Sequence, residues 1–153
     1  MQSQRSKADG ESVMLDAMLP ALLMLLFAAF IGFAQVGKTI STKSGLQYEV
    51  VIEGRGEPAK PGSSVRIHET TTLKDGTLIY STRTNDKPLK FLLGGNQVIA
   101  GVDEGVRGMR VGERRKLIVP PSLSKRSSYP ANTPPDATLY YDIELVEIIP
   151  EKP

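Results

Sequence analysis

The stretch from Phe91 to Met109 reads FLLGGNQVIAGVDEGVRGM, and the rest of the chain is arranged around it. A short apolar run ends at Gly94-Gly95. The apolar residues that follow are Val98, Ile99, Val102 and Val106. This spacing is typical of one face of a helix and not of a strand. Asn96 stands where an N-cap is expected, and Gly108 stands where a helix should end. The pattern predicts a short helix that forms the floor of a groove in a wrapped sheet.

Length and composition limit the classes of protein that this chain can belong to. It has 153 residues, which is enough for one domain of ordinary size, and its 40% hydrophobic and 24% charged residues are typical of a globular protein. The absence of cysteine excludes a disulfide framework and a thiolate metal site. A single histidine argues against a His-based metal centre or a Ser-His-Asp triad. The net charge of +2 is too small to indicate a nucleic-acid partner. We expect no metal and no cofactor.

The N-terminal region contains a long apolar segment, residues 18–34, which reads MLPALLMLLFAAFIGFA. This uncharged segment is shorter than the roughly 20 residues that a spanning helix needs. It has the length of the apolar core of a secretory signal, and Gly32-Phe33-Ala34 forms a small-x-small cleavage site before Gln35. Residues 1–34 are therefore expected to be an export signal.

Two alternatives remain for this N-terminal segment. Residues 13–36 are long enough to span a bilayer if tilted, which predicts an uncleaved membrane anchor. The segment could also be a buried helix of the domain. A signal or an anchor would place the domain outside the cytoplasm, in a periplasmic, secreted or lumenal compartment.

The remainder of the chain alternates in the manner of an antiparallel sheet. Residues 35–44 are polar and are expected to be a linker. Strands are predicted at residues 46–52, 65–73, 78–82, 89–93, 114–119 and 139–145. Asp75-Gly76 forms a hairpin turn. The proline-rich segment 120–136 is a long loop of the kind that is usually functional. We predict an α+β fold, in which five to six antiparallel strands half-wrap one short helix.

No side chain in this pattern has the setting of a nucleophile or a metal ligand. Asp103 and Glu104 are adjacent on the predicted helix and point in different directions, so a solvated helix face is expected. His68 lies within an alternating strand and is expected to be structural. Five basic residues cluster in sequence without interleaved aromatics, which favours a solvated edge over a nucleic-acid surface. They are Arg107, Arg110, Arg114, Arg115 and Lys116.

Five segments, in this order, carry a resemblance to a known family: SGLQYEVVIEG, VRIH, LKDGTLIYST, KPLKFLLGGNQVIAGVDEGVRGMRVGERRKLIVP and PPDATLYYDIELVEI. Residues 45–150 resemble the FKBP-type peptidyl-prolyl cis-trans isomerases, the immunophilins that bind tacrolimus and rapamycin. The resemblance implies an FKBP-like half-wrapped sheet around a short helix. It also implies that the chain acts on X–Pro bonds of proline-containing polypeptides.

The chemistry implied by the resemblance explains why no nucleophile is visible. Rotation about an X–Pro amide breaks no covalent bond, but its barrier is about 20 kcal/mol because the twisted state loses resonance. An apolar pocket favours the twisted amide, since its carbonyl has lost charge separation. The family adds a backbone N–H that holds a substrate carbonyl, and here Ile99, beside Val98, would supply it. This is catalysis by differential binding.

The resemblance also assigns the site residues. Catalytic roles fall on Val98, Ile99, Tyr80 and Tyr141, and substrate-binding roles fall on Glu69, Ile79, Leu89, Val102 and Lys125. Several of these differ from the family pattern, whose pocket is lined by aromatics. Glu69 replaces a tyrosine, Ile79-Tyr80 replaces a Phe-Asp pair, Leu89 replaces a phenylalanine, Val102 replaces a tryptophan and Lys125-Arg126 replaces Tyr-Gly.

These replacements lead to two hypotheses. The chain is an isomerase of exported polypeptides whose activity is weak because pocket aromatics and the aspartate are replaced. Alternatively, it is a non-catalytic polypeptide-binding module, such as a holdase or an assembly partner. Tacrolimus binding is not expected, since the aromatics that pack against the drug are missing.

Overall fold

The computed structural model describes residues 36–150. The export signal or anchor predicted over residues 1–34 lies outside the described residues. Among residues 36–150, no helix has both the length and the apolar character needed to cross a bilayer.

The described chain forms one antiparallel sheet and one α-helix. The strands are β1 (Thr39–Ser41), β2 (Gln47–Ile52), β3 (Ser64–Thr72), β4 (Leu78–Ser81), β5 (Leu89–Leu92), β6 (Arg114–Val119) and β7 (Leu139–Ile149), and the helix α1 is Ala100–Val106. The strand order is β1-β2-β6-β7-β3-β4, and β5 also pairs with β3. This confirms the prediction of an antiparallel sheet with one short helix. Seven strands replace the five to six that were expected.

The additional strand lies in the segment that was expected to be a linker. Thr39–Ser41 pairs antiparallel with β2, with Ile40 opposite Tyr48. Val36 forms an isolated bridge with Val50. The linker prediction for residues 35–44 therefore needs correction. Three residues are too few to show an alternating pattern, and the strand depends on a partner that supplies its hydrogen bonds.

The helix packs closely against the inner face of the sheet because two of its residues lack side chains. A Cβ atom added to Gly101 would collide with the Val119 side chain, and one added to Gly105 would collide with Leu117. Both strand residues lie in β6 and are fully buried. The helix can approach β6 only with glycine at these two positions, which brings the start of the helix into contact with the sheet.

The start of the helix differs from the prediction made from the sequence. Ile99 is the N-cap residue, and no side chain caps the helix. Asn96 lies further upstream with a positive φ of 54°, so it serves the preceding turn. The prediction that Asn96 caps the helix was therefore wrong. Gly108 has a φ of 76° just after the helix, which confirms the predicted stop.

Two groups of charged residues that were predicted to be solvated contribute to the interior. Asp103 is buried and bonded to Arg107, so only Glu104 of the pair is accessible at the helix surface. Arg115 is buried in β6, where it pairs with Glu113 at 2.5 Å and donates to the carbonyl of Gly105. The prediction of a solvated edge therefore fails at Arg115. Alternation along a strand places this residue on the same face as Leu117, facing α1.

Candidate functional site

A pocket of about 350 Å³ opens between α1, the strands β3 to β5 and the proline-rich loop 120–136. Of the nine residues given a role from the sequence, eight line this pocket: Glu69, Ile79, Tyr80, Leu89, Val98, Ile99, Val102 and Tyr141. The fold thus brings together residues that are far apart in the sequence, with 72 positions between the first, Glu69, and the last, Tyr141. Their roles in binding and catalysis stay predictions.

The floor of the pocket is apolar. Val102, in the first turn of α1, is 2% exposed, and Leu139, the first residue of β7, is 1% exposed. Ile79 and Leu89 contribute further apolar surface from β4 and β5. A ring without polar atoms, such as that of proline, would lose hydration on entering this part of the pocket and would gain stability from the burial.

A backbone donor stands at the edge of this apolar floor. Ile99 has φ −62° and ψ 151°, an extended conformation that precedes the first helical residue. Its carbonyl accepts hydrogen bonds from the N–H groups of Val102 and Asp103. Its own N–H donates to no group within residues 36–150, since it belongs to the unsatisfied first turn of the helix. The donor is therefore available to a bound carbonyl.

The wall of the pocket carries a buried carboxyl group. Glu69 is 7% exposed in β3. Burial raises the pKa of its carboxyl group from 4.5 to about 7, although the positive charge of Arg126 opposes the rise. Desolvation destabilises the ionised form, so near neutral pH this side chain is present in both protonation states.

Tyr141 lies beside this carboxyl group, at the inner end of β7. Its phenol is buried in the same pocket wall as Thr71, and Arg126 Nη2 lies 3.4 Å from its hydroxyl oxygen. Burial and the nearby Glu69 charge raise the pKa of the phenol above its ordinary value of 10. The hydroxyl group therefore stays protonated at neutral pH and is fixed between two polar neighbours.

The long loop supplies pocket residues different from the one expected. Lys125 is exposed and does not line the pocket, whereas Arg126, the next residue, does. Thr133 and Pro130 from the same loop also line it. The sequence offered no signal for Arg126 beyond its place beside Lys125, since a loop without periodicity does not reveal which side chains face inward.

Tyr80 occupies the outer rim of the pocket. Its side chain is 48% exposed in β4, directly after Ile79, which is turned further inward. The neighbouring His68 is bonded to Thr82 at 3.0 Å and contacts Asp86 at 3.3 Å, which is the structural setting expected for it. Tyr80 can therefore cover a bound chain from the solvent side, and His68 is occupied elsewhere.

A larger hollow of about 540 Å³ lies against the outer face of the sheet. Three of its charged side chains are paired with one another: Arg114 contacts Asp142 at 2.6 Å, and Arg83 contacts Asp142 at 3.9 Å. The smaller pocket differs because some of its polar atoms have no partner in residues 36–150. We therefore place the candidate functional site in the smaller pocket.

The arrangement can bind an apolar ring on the floor and donate a hydrogen bond from the Ile99 N–H to a carbonyl oxygen. Within the part of the chain that the structure describes, no three His, Asp or Glu side chains are grouped as a metal ion would require. The pocket offers a ligand burial on its apolar floor and a hydrogen bond from the Ile99 N–H.

Comparisons with known proteins agree with this geometry. The family model for the FKBP-type peptidyl-prolyl cis-trans isomerases matches residues 55–146. The chain is 42% identical over 106 residues to the peptidyl-prolyl cis-trans isomerase Fkbp12 of Drosophila melanogaster. The aligned residues cover 68% of this chain and 98% of the relative. It is 37% identical over 130 residues to the FK506-binding protein 2 of Yarrowia lipolytica, which covers 83% of this chain and 90% of the relative.

A solved structure gives the same result for the fold. The crystal structure of FkpA from Escherichia coli superimposes with a TM-score of 0.66 at 29% identity, over 97% of this chain and 76% of that one. The matched family segment contains the pocket residues from Glu69 to Tyr141. The chain belongs to the FKBP-type peptidyl-prolyl cis-trans isomerase family.

Proposed function

We propose that this protein accelerates the rotation of X–Pro bonds in exported polypeptides, using the pocket between α1 and loop 120–136. One observation carries the proposal: the unsatisfied N–H of Ile99 stands at the edge of an apolar floor. A prolyl ring on Val102 would bring the carbonyl of the prolyl residue itself, which lies outside the rotating amide, within reach of this donor. The family membership supports the reaction, and the apolar N-terminal segment supports the exported substrates.

Catalysis in this site would follow from differential binding. In the planar amide the carbonyl oxygen carries partial negative charge and the nitrogen partial positive charge, and both are lost as the bond twists. An apolar floor destabilises the planar, more polar ground state more than it destabilises the twisted state, so the free-energy barrier between them falls. The Ile99 N–H holds the carbonyl of the prolyl residue, which is not part of the rotating amide, so that the rotation takes place in the held substrate.

We also propose that the activity is weaker than that of a pocket lined by aromatics. Glu69 brings a buried carboxyl group to the wall, and an apolar ring placed beside it removes its remaining access to water. Desolvating a carboxylate is unfavourable, so part of the binding free energy of proline is lost. The same feature favours the alternative function, a module that binds polypeptides without turning them over.

A pair of proline substitutions tests the catalytic proposal. Ile99→Pro removes the N–H donor, and the observed φ of −62° already lies in the range that proline requires. Ala100→Pro is the matched control, because it lies at the first helical position, where proline is favoured, and it leaves the Ile99 N–H in place. Rates are measured on an X–Pro peptide in an assay coupled to a protease that cleaves only the trans form.

We expect the native protein and Ala100→Pro to accelerate isomerisation, and Ile99→Pro to be slower by about tenfold or more. Ile99→Val, which keeps the donor and shortens the side chain, separates the donor from the packing. Native protein that performs no better than buffer at high concentration would reject the isomerase and leave the binding module. Equal rates for Ile99→Pro and Ala100→Pro would reject the role of the donor.

A further inference from the structure

The inner end of the pocket contains polar groups that the protein leaves without partners. Arg126 Nε and Thr133 Oγ1 are buried and bonded to nothing within residues 36–150. The hydrogen bonds of Glu69 in the described chain are made by its backbone, which is bonded to Thr82. Glu69 lines the pocket although the whole residue is only 7% exposed.

These groups line the same pocket as Tyr141, whose hydroxyl lies 3.4 Å from Arg126 Nη2, and they differ in what they can bind. Arg126 carries a positive charge that acts on both Glu69 and Tyr141. Its Nε–H can only donate a hydrogen bond, whereas an ionised Glu69 can only accept, and the threonine hydroxyl can do both. The site therefore presents donors and acceptors together, on a wall whose two opposite charges compensate.

Buried polar groups without partners are rare, because the water they lost must be replaced by another hydrogen bond. A ligand that supplies that bond recovers the lost interaction, and a purely apolar ligand does not. The plain prolyl ring suits the floor at Val102 and Leu139, but it offers nothing to Glu69 and Arg126. Because the pocket holds an X–Pro bond, the two residues that this bond joins must lie nearest to these groups.

We infer that Glu69 and Arg126 form a specificity subsite for a neutral group that both donates and accepts hydrogen bonds. The inference rests on the proposed binding of X–Pro segments in this pocket. Two sources carry this chemistry: the carboxamide of a glutamine or asparagine that precedes the proline, and the hydroxyl of a hydroxylated prolyl ring. A carboxamide would donate its N–H to Glu69 and accept from Arg126 Nε. A ring hydroxyl would make the same two bonds with one oxygen atom.

The test uses a panel of peptides that are identical outside the X–Pro unit. The units are Leu–Pro, Gln–Pro, Glu–Pro and Leu–hydroxyproline. Both kcat/KM for isomerisation and the dissociation constant by calorimetry are measured for each peptide. We expect Gln–Pro, Leu–hydroxyproline or both to exceed Leu–Pro and Glu–Pro by about tenfold. A preference for Gln–Pro would identify the carboxamide as the group that binds, and a preference for Leu–hydroxyproline would identify the ring hydroxyl.

Two substitutions assign the preference to the subsite. Glu69→Leu replaces the carboxyl group with an apolar side chain of similar size, so the preference should reverse in favour of Leu–Pro. Glu57→Leu, at an exposed position, is its matched control and should keep the native preference. Arg126→Met should reduce the preference for the polar peptides, and the exposed Arg55→Met should not. The Arg126 pair remains informative if Glu69→Leu does not fold.

The inference is overturned if Leu–Pro equals or exceeds both polar units in the native protein. It is also overturned if Glu69→Leu and Arg126→Met change all four peptides by the same factor. Failure of the proposed catalysis has a different signature, since no peptide is then turned over. In that case the dissociation constants alone decide the inference, because the same preference must appear in binding.

Discussion

The carboxylate of Asp103 accepts a hydrogen bond of 2.6 Å from the backbone N–H of Gly94. Gly94 follows β5 with a φ of 82°, and Asp103 lies in α1, so this bond joins the two ends of the turn that carries Val98 and Ile99. Arg107 donates to the other carboxylate oxygen at 2.6 Å. The position of the Ile99 donor therefore depends on a buried side chain that does not line the pocket.

Asp103→Ala should destabilise the protein by about 1–3 kcal/mol, because it leaves the Gly94 N–H without its acceptor and removes the partner of Arg107. Urea unfolding measures the loss. The control is Glu104→Ala, on the accessible side of the same helix, where the carboxylate accepts from the exposed Ser44 hydroxyl and from no other group within residues 36–150. That variant should lose less than about 1 kcal/mol. Equal losses for the two would contradict the importance of the Asp103 bond.

Gly101→Ala tests the close approach of α1 to the sheet. The added methyl group would collide with Val119, which is fully buried and β-branched and cannot rotate away. Alanine favours a helix over glycine, so an exposed site would gain up to about 1 kcal/mol; here we expect a loss of about 1–3 kcal/mol. Thermal or urea unfolding gives the sign.

A second substitution distinguishes this collision from a general loss of packing. Val119→Ala removes the two methyl groups that the new Cβ would meet. The double variant Gly101→Ala/Val119→Ala should therefore be more stable than the sum of the two single losses predicts. Additive losses would show that the contact between these two positions does not limit the helix.

Arg115→Met should lower the free energy of unfolding by about 3–5 kcal/mol. Arg115 is 8% exposed, and its guanidinium neutralises Glu113 and donates to the carbonyls of Gly105 and Arg107 at the end of α1. Its removal leaves a buried carboxylate without its charge partner. Arg114→Met is the adjacent control, since that ion pair with Asp142 is half-exposed and should contribute about 0–1 kcal/mol. Urea unfolding at neutral pH compares them, and similar losses would reject the burial argument.

The fold was predictable from local patterns that burial imposes on each element. Alternation in β7, the Asp75-Gly76 turn and the helical spacing from Val98 to Val106 each report a periodicity that one segment carries by itself. β1 was missed because its three residues are too short for a period to be seen. Arg115 was misjudged because a strand pattern shows which residues share a face, but not that a long cationic side chain on that face reaches a buried partner.

The candidate site was predictable only where a resemblance supplied it. Eight residues followed from matched motifs, and the pocket contains them. Arg126 and Thr133 come from a loop with no period, and their meeting with Glu69 depends on how residues far apart in the sequence pack together. The raised pKa of Glu69 also could not be read from the sequence, since it reflects burial that only the folded chain provides.

The buried carboxyl group of Glu69 should make the protein less stable as the pH rises from about 4.5 to about 7. Its pKa is about 7 in the folded protein and 4.5 as the ordinary value. Between these values the unfolded chain has released a proton that the folded chain keeps. The free energy of unfolding therefore falls as the pH rises, by about 3 kcal/mol in total, and this contribution is constant above pH 7.

Glu69→Gln isolates this effect, because glutamine has a similar shape and does not titrate. Urea unfolding of both proteins at intervals from pH 4 to pH 8 gives the difference between their free energies of unfolding. The other carboxyl groups titrate in both proteins and cancel in that difference. From pH 4 to pH 8, the free energy of unfolding of the variant should rise by about 3 kcal/mol relative to that of the native protein. This change does not depend on how the amide alters stability at low pH. A difference that stays constant from pH 4 to pH 8 would mean that the Glu69 carboxyl group titrates as it does in water.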